Sequence, residues 1–222
     1  MTEMKIDLDF AKNFLLGHDN FNIFLHASPD GDTVGSGFAL CKALRSIGKN
    51  ANVLCSDDIP KSYSFITDGY EPQEFEAEAL VSVDVADAKL LGKYEDMGKK
   101  IDLSVDHHGL NREFAKHTFV DSSAAANCEN ILKLLKVMDI KIDSYIAACI
   151  YTGISTDTGC FKYSNTSPES HIMAAEMMEY GIDFAEINRI MFDTKTRGRI
   201  KIEGRLMEQM KFFFDGKVAI IE

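Results

Sequence analysis

Short apolar segments rich in β-forming residues alternate with longer segments of helical periodicity in the first half of the chain. Five of these short segments are predicted strands: residues 21–26, 50–56, 79–84, 101–106 and 117–120. Between the first two, residues 34–49 have the apolar spacing of a helix. Because such an alternation needs crossover connections, we predict an α/β fold with a doubly wound, mainly parallel five-stranded sheet and helices on both faces.

The second half of the chain is helical in pattern. Apolar residues recur with helical spacing in residues 125–138, 143–154, 167–181 and 183–193. Pro168 stands where the first turn of a helix accepts proline. A further helix is predicted over residues 195–214, and a turn then leads into the short β-like segment 217–222.

We interpret the chain as three units. Residues 1–190 form the main domain, residues 191–214 a linker helix, and residues 215–222 the start of a truncated C-terminal domain. The reason is that a lone final strand needs partners to be stable. The alternative is that this strand docks on the main sheet.

Charge and composition narrow the class of protein. The 222 residues include 24 Lys and Arg against 35 Asp and Glu, so a net charge of −11 provides no broad basic field for a long nucleic-acid duplex. The five cysteines form no C-x-x-C pair, which is typical of reduced thiols. Neither a signal peptide nor an apolar run of about 18 residues is visible. We therefore expect a cytoplasmic protein without a membrane partner.

Side chains that bind metals stand at the ends of three predicted strands. These strands end at His26, Asp84 and Asp106, and His107 and His108 follow the last of them directly. Functional groups in open parallel sheets gather at the carboxyl ends of the strands, beside the topological switch point. We therefore expect these residues to share one edge of the sheet.

Further polar residues follow the first strand. Asp30 and Asp32 come directly after it, so we place them in a loop at the same edge. Gly35 and Ser36 are predicted to open the next helix, whose amino end favours an anionic substrate. Asp157 is predicted in a Gly- and Thr-rich loop after a helix, and the pattern alone does not show whether its side chain points to this edge.

The chemistry follows from charge. Four or five carboxylates that converge beside neutral imidazoles repel one another strongly unless highly charged cations lie among them. Oxygen and nitrogen ligands without thiolate suit Mn²⁺, Mg²⁺, Co²⁺ or Fe²⁺. Two such ions, about 3.5 to 4 Å apart, hold an attacking hydroxide and a phosphoryl oxygen together. We therefore interpret His26, Asp30 and Asp32 as one metal-binding loop.

Each of these features also has a structural interpretation. Asp30 followed by glycine is an ordinary turn sequence, and adjacent histidines are common on surfaces. Asp84 and Asp87 could cap a helix, and Asp157 could hold a loop through its own hydrogen bonds. Their joint placement at strand ends favours the functional interpretation. The histidines without such company are interpreted as structural or solvated: His18, His117 and His171.

Four motifs together resemble the DHH phosphoesterases, in the order found in that family and over most of the chain to about residue 190. They are HASPDGDTVGS at 26–36, VDVAD at 83–87, VDHHGLN at 105–111 and GISTDTGCFKYSNTS at 153–167. The surrounding sequence is similar to the bacterial branch of bifunctional oligoribonucleases (nanoRNases) and 3′,5′-bisphosphate nucleotidases.

The resemblance implies a role for each matching residue. The implied metal ligands are His26, Asp30, Asp32, Asp84, His107 and Asp157, and Asp84 would bridge two Mn²⁺ ions, with Mg²⁺ or Co²⁺ as alternatives. The implied catalytic residues are His108, which contacts the substrate phosphate, and Asp106, which supports the histidine pair. The predicted substrate-binding residues are His108, Ser36, Asn111 and Arg112.

The implied activity is hydrolysis of phosphoester bonds. Short oligoribonucleotides would be cut to mononucleotides, and 3′-phosphoadenosine 5′-phosphate (pAp) to AMP, by a hydroxide between the two ions. One alternative is a manganese-dependent inorganic pyrophosphatase or exopolyphosphatase, although Arg112 and Lys162 are the main cations near the motifs. Another is a catalytically silent nucleotide-binding or regulatory domain. Exposed apolar helices in the second half would suit a homodimer.

One departure from the family concerns the substrate clamp. Relatives carry a second domain after the linker helix, with a glycine-rich motif containing histidine, and this sequence has no GGGH-like stretch. We therefore expect residues 215–222 to begin that substrate-binding domain. We also expect the chain to bind metal but to hydrolyse nucleotides poorly, which a comparison of its turnover with that of a longer chain would test.

Overall fold

The computed structural model describes residues 4–221. Its main sheet contains the strands β1 Met4–Lys5, β2 Phe21–Phe24, β3 Ala51–Leu54, β4 Ala79–Val83, β5 Leu103–Asp106 and β6 His117–Val120. The spatial order is β1-β6-β5-β4-β2-β3, and every neighbouring pair is parallel. The five predicted strands are confirmed. The two-residue strand β1 was not predicted and extends the sheet beside β6.

Helices follow or connect these strands. The α-helices are α1 Leu8–Gly17, α2 Gly31–Ser46, α3 Ser64–Thr67, α4 Asn127–Val137, α5 Ser144–Asp157, α6 Pro168–Met178, α7 Phe184–Asn188 and α8 Arg197–Gln209. Segments of 3₁₀-helix cover Lys61–Tyr63 and Ala88–Lys100, and a π-helical turn covers Arg189–Asp193. The helical character of the second half is therefore confirmed.

The sheet is covered on both faces, as a doubly wound fold requires. Residues such as Ile23 and Val81 point to one face, where helices α2, α4 and α5 complete the main core. Phe24 points to the other face and packs in a smaller core with Leu91 from the 3₁₀ segment. Successive side chains of a strand point to opposite faces, which explains how neighbouring residues enter different cores.

The topological switch point lies between β2 and β4. From β2 the chain moves to β3 on one side, whereas β4 and β5 follow on the other side. Phe24 is in register with Leu54 of β3 and with Ser82 of β4, so the carboxyl ends of these strands are level. This arrangement opens a crevice directly beyond β2, β4 and β5.

Two predicted boundaries differ from the structure. Helix α2 begins at Gly31, with Asp30 as its N-cap, so Gly35 and Ser36 lie inside the helix and do not open it. The last helix ends at Gln209, because the following β-forming residues make an antiparallel hairpin of β7 Lys211–Phe213 and β8 Val218–Ile220. The final strand is thus paired in a separate two-stranded sheet and does not join the main one.

The described part of the chain, residues 4–221, has no helix that combines the length and the apolarity needed to cross a bilayer.

Candidate metal centre

The amino end of α2 holds two of the predicted ligands. Asp30 caps the helix, because its Oδ1 accepts hydrogen bonds from the backbone N–H groups of Asp32 and Thr33, at 3.0 and 3.1 Å. The same Oδ1 lies 3.6 Å from Nε2 of His26. Asp30 can therefore cap the helix and still lie in the predicted site.

Asp32 is fully buried and is fixed by a second helix. Its Oδ2 and Oδ1 accept hydrogen bonds from the backbone N–H groups of Asn127 and Cys128, at 2.5 and 2.8 Å. These residues begin α4, whose N-cap residue, Ala126, has no side-chain oxygen to offer. Asp32 thus satisfies donors at the start of α4 and is held in one orientation.

Helices α2 and α5 approach each other closely beneath the site. A Cβ atom added to Gly35 would collide with the backbone carbonyl oxygen of Cys149 and lie 3.0 Å from Sγ of Cys128. A Cβ atom on Gly153 would lie 2.7 Å from Oδ1 of Asp32. The two glycines therefore allow the carboxylates carried by the two helices to meet.

Asp84 stands at the centre of the site. It follows β4 with a φ of 59°, a left-handed conformation that aspartate tolerates better than most residues. Its Oδ2 lies 3.6 Å from Nε2 of His26, and its Oδ1 lies 3.5 Å from Nε2 of His107. Oδ1 is buried and has no hydrogen-bond partner within residues 4–221.

Hydrogen bonds that the Nδ1 atoms donate to backbone carbonyl oxygens orient His26 and His107. His26 donates to the carbonyl oxygen of Ala27 at 2.7 Å, and His107 donates to that of Ala124 at 3.2 Å. Both rings therefore turn Nε2 towards the carboxylates, and Nε2 of His107 is buried without a hydrogen-bond partner in the described chain. This is the arrangement in which a protein carbonyl orients a metal-binding imidazole.

Asp157 reaches the same place from the far side. It is the last residue of α5, not part of a loop, and its Oδ2 lies 3.4 Å from Nε2 of His107. The side-chain amide of Asn165 donates to the backbone oxygens of both Asp157 and Ala125, each at 3.1 Å. This exposed asparagine ties the end of α5 to the segment that orients His107.

The predicted ligands, together with His108, form overlapping groups. In each group, one potential ligand atom per residue lies within 4.8 Å of the others; the groups are Asp84, His107 and His108; His26, Asp30 and Asp84; and Asp32, His107 and Asp157. Asp84 and His107 each belong to two groups. Oxygen and imidazole donors without thiolate, with two buried donor atoms lacking partners, fit hard or borderline divalent cations.

The histidine pKa values reflect this crowding. Burial favours neutral imidazole, but the neighbouring carboxylates outweigh it and raise the pKa of His26 to about 11, mainly through Asp30 and Asp84. Burial also opposes protonation of His107, whereas Asp84 and Asp32 raise its pKa to about 10. Without metal, both rings therefore hold protons at neutral pH.

The pKa values of two carboxyl groups at the site lie above that of an ordinary surface acid. Burial, together with the charge of Asp84, raises the pKa of Asp157 to about 7. Burial and the charges of Asp84 and Asp157 also raise the pKa of Asp32 well above its usual range. These raised pKa values follow from the crowding of several carboxyl groups in a poorly solvated place, which the sequence predicted.

The residues of the DHH motif form a hydrogen-bonded unit beside the three ligand groups. Asp106 is fully buried, and its Oδ1 accepts from Nδ1 of His108 at 2.8 Å. Its Oδ2 accepts from the amide of Asn111 at 2.6 Å, and that amide also donates to the carbonyl oxygen of Val85. Asn111 therefore holds Asp106 in place.

Two of the predicted substrate-binding residues, Arg112 and Ser36, have partners outside the ligand groups. Arg112 is exposed, and its Nε lies 3.0 Å from Oδ2 of Asp87. Ser36 is fully buried; its hydroxyl accepts a hydrogen bond from the amide of Asn127 and contacts Sγ of Cys128. The structure therefore does not bring Ser36 to the cleft, because the helix begins one turn before this residue.

A cleft of about 250 Å³ opens above these groups. It is lined by His26, Asp30, Asp84, Leu90, His108 and Asp157. Leu90 was not predicted as a site residue; its carbonyl oxygen accepts from the N–H of Ala27 at 2.6 Å, which holds it beside the first strand end. Neither Leu90 nor Asn165 has a side chain that, in sequence alone, distinguishes it from structural residues.

The chain is similar to known proteins over most of its length. The chain is 32% identical over 205 residues to the bifunctional oligoribonuclease and PAP phosphatase NrnA of Thermus thermophilus, covering 87% of this chain and 60% of that protein. It is 25% identical to the NrnA of Bacillus subtilis, covering 91% of this chain and 66% of the relative. The chain therefore spans less than two thirds of the length of these curated relatives.

The fold has solved counterparts, and the sequence matches a family. An exopolyphosphatase-related protein from Bacteroides fragilis superposes with a TM-score of 0.86 at 26% identity, over 96% of this chain and 68% of the other. A putative family II inorganic pyrophosphatase from Methanococcus jannaschii shares the fold, with a TM-score of 0.57 at 20% identity over 77% and 60% of the two chains. Residues 20–154 match the N-terminal domain of the DHH family, to which this chain therefore belongs.

Proposed function

We propose that this chain is the catalytic part of a metal-dependent phosphoesterase that hydrolyses short oligoribonucleotides to mononucleotides and pAp to AMP. The observation that carries the proposal is the sharing of Asp84 and His107 between overlapping ligand groups in one cleft. The names of the relatives from Thermus thermophilus and Bacillus subtilis support these substrates. Small nucleotides also suit an acidic protein that lacks a broad basic surface.

Two divalent ions, with Mn²⁺ as the first choice and Mg²⁺ or Co²⁺ as substitutes, fit the donors. His26, Asp30 and Asp84 would hold one ion, and Asp32, His107 and Asp157 the other, with Asp84 between them. When bound, the ions would supply Lewis-acid polarisation of the phosphoryl group and a water of lowered pKa.

His108 is suited to hold the substrate. Its hydrogen bond to Asp106 raises the pKa of the imidazole, although burial partly opposes this shift. Nδ1 is engaged by Asp106, so Nε2–H remains to donate to a phosphoryl oxygen that gains charge in the transition state. Asp106 and Asn111 keep the ring in position, and they would act through it rather than on the substrate.

Leu90 favours a nucleoside substrate over an inorganic one. Its side chain is 44% exposed and gives the otherwise polar cleft an apolar wall. A ribose or a base can bury this surface, whereas pyrophosphate or polyphosphate offers no apolar group. No lysine or arginine is among the residues that line the described cleft, and dense cations are what several adjacent phosphates need.

Hydrolysis of defined substrates tests this proposal. The chain with added Mn²⁺ is incubated with pAp, with di- to pentaribonucleotides and with pyrophosphate, beside the Asp84→Asn variant. We expect phosphate from pAp and mononucleotides from the oligomers, in both cases faster than with the variant. Hydrolysis of pyrophosphate but of no nucleotide would favour the pyrophosphatase alternative. Tight metal binding without hydrolysis of any substrate, both by this chain and by a longer chain that includes the second domain, would favour the silent domain.

Location and assembly remain predictions: a cytoplasmic protein, with a homodimer formed through apolar helices of the second half. Size-exclusion chromatography with light scattering would test the dimer.

A further inference from the structure

A second cavity lies at the other end of helix α2. Its volume is about 340 Å³, and α2 provides one wall through Phe38, Lys42 and Arg45, while Tyr70 and Tyr145 provide aromatic rings. The remaining lining residues are Cys41, Ser46, Asp68 and Gly69. The helix rises about 1.5 Å per residue, so this cavity lies roughly 20 Å from the cap of α2 at the metal centre.

Arg45 contributes a fixed positive charge to this cavity. Its guanidinium carbon lies 5.1 Å from the ring centroid of Tyr70. Its Nε donates to the carbonyl oxygen of Ala51, and its Nη2 donates to the side chain of Asn52 and to the backbone oxygen of Glu71. All these partners are neutral, and Arg45 has no ion pair within residues 4–221. The guanidinium is therefore oriented without being neutralised.

Lys42 adds a second cation one turn earlier on the same face of α2. Its Nζ lies 6.0 Å from the ring centroid of Tyr145 and 3.9 Å from Oδ2 of Asp143, which is a loose ion pair. Two cations beside aromatic rings stand out in a chain with a net charge of −11. The lining carboxylate of Asp68 forms no side-chain hydrogen bond or ion pair in the described chain, so it is an available acceptor.

We propose that this cavity is a second ligand site, for a mononucleotide whose base carries an amino group. Lys42 and Arg45 would bind the phosphate by charge-assisted hydrogen bonds. The rings of Tyr70 and Tyr145 would stack against the base. Asp68 would accept a hydrogen bond from the amino group. The volume lies in the range of sites for small ligands, and aromatic walls combined with charged groups that can fix the orientation of a ligand are typical of them.

Calorimetric titration of the metal-free chain with AMP tests this site. EDTA is present, so that the unneutralised carboxylates of the metal cleft disfavour phosphate there. Adenosine and ribose 5-phosphate are titrated as probes that lack the phosphate or the base. Lys42→Gln removes one proposed phosphate contact, and Lys99→Gln is the matched control, because Lys99 is exposed and lies outside both cavities.

We expect saturable binding of AMP, weaker binding of both partial probes, and about a tenfold loss of AMP affinity in Lys42→Gln but not in Lys99→Gln. IMP, which lacks the amino group, should bind more weakly than AMP, and Asp68→Asn should reduce that difference. No saturable binding of AMP, or equal effects of the two lysine variants, would overturn the proposal. Neither outcome depends on hydrolysis, so this site and the proposed function can fail separately.

Discussion

Nε2 of His107 lies 3.4 Å from Oδ2 of Asp157. One residue follows strand β5 and the other ends helix α5, so the contact joins the edge of the sheet to the helical half of the chain. The sequence pattern did not give the direction of Asp157. Its place in the site depends on the packing of α5 against α2, and it lies beyond the residues that match the DHH family.

Asp84→Asn should abolish high-affinity binding of divalent metal and reduce hydrolysis by at least about a thousandfold. Asp84 belongs to two ligand groups, and an amide cannot replace its charge between two cations. Asparagine keeps the size of the side chain and tolerates the positive φ, so the fold should persist. Metal content by elemental analysis and turnover of pAp measure the effect.

The matched control is Asp139→Asn. Asp139 also has a positive φ, of 56°, but it follows α4 on an exposed turn away from the cleft. This variant should retain metal and turnover. Activity of Asp84→Asn equal to that of the control would contradict a metal-binding role for Asp84.

Metal binding should release protons, and the apparent affinity should rise with pH. The pKa values of about 11 for His26 and about 10 for His107 mean that metal must displace a proton from each ring at neutral pH. Asp157, with a pKa of about 7, adds a proton below that pH, so the release should be larger at pH 6 than at pH 8. Calorimetry in buffers of different ionisation enthalpy measures the release, and a release of zero at both pH values would contradict the shifts.

These protons also qualify the charge argument made from the sequence. Converging carboxylates were expected to require divalent ions, and the residue types at the strand ends were sufficient to predict where they converge. In the structure, His26 and His107 lie between those carboxylates, which raise the pKa values of both imidazoles, so a proton on each ring would compensate part of the negative charge. Residue types alone do not reveal this compensation.

Structural features that depend on residues close together in the sequence were predictable. Features that depend on the packing of distant segments were not. The strands and the second helical half follow from apolar periodicity, and the edge position of His26 follows from its place after a strand. Ser36 was predicted at the start of the helix, but Asp30 caps α2, so the helix begins at Gly31, five residues earlier. The capping of α4 by Asp32 joins distant parts of the chain, which local patterns cannot encode.

Leu90→Ala should raise KM for pAp and dinucleotides about fivefold to tenfold and leave metal content unchanged. The variant removes the apolar wall of the cleft and with it the surface that a nucleoside would bury. A loss of roughly 1 kcal/mol of apolar burial corresponds to this change in KM. Leu110→Ala is the control, because Leu110 is 91% exposed and does not line the cleft. Steady-state kinetics with pAp and with p-nitrophenyl phosphate, which lacks a nucleoside, measures the difference; equal changes for both leucine variants would remove the support from Leu90.

Gly35→Ala should lower the free energy of unfolding by about 1 to 3 kcal/mol, a typical cost of overpacking. The new methyl group would meet the backbone of Cys149, which cannot move as a side chain can. Gly204→Ala is the control, because Gly204 lies in α8 and nothing lies within 4 Å of a Cβ atom added there, so alanine should be neutral or slightly stabilising. Urea unfolding followed by circular dichroism compares the two; equal stability would show that α2 and α5 can separate without cost.

Asn165→Ala should weaken the binding of one metal ion more than the other. Its amide holds the backbone of Asp157 and of Ala125, the neighbour of the residue whose carbonyl orients His107. The ion held by His107 and Asp157 should therefore lose about tenfold in affinity, the lower end of the effect of removing a group that orients metal ligands. The ion held by His26 and Asp30 should change little.

Asn13→Ala is the control for this variant, because Asn13 is exposed on α1 and its side chain forms no hydrogen bond in the described chain. Titration with Mn²⁺, followed by electron paramagnetic resonance of the free ion, resolves the two affinities. A general loss of folding would weaken both ions together, whereas loss of orientation weakens one. Equal weakening of both ions, or no change in either, would mean that Asn165 does not position the second ligand group.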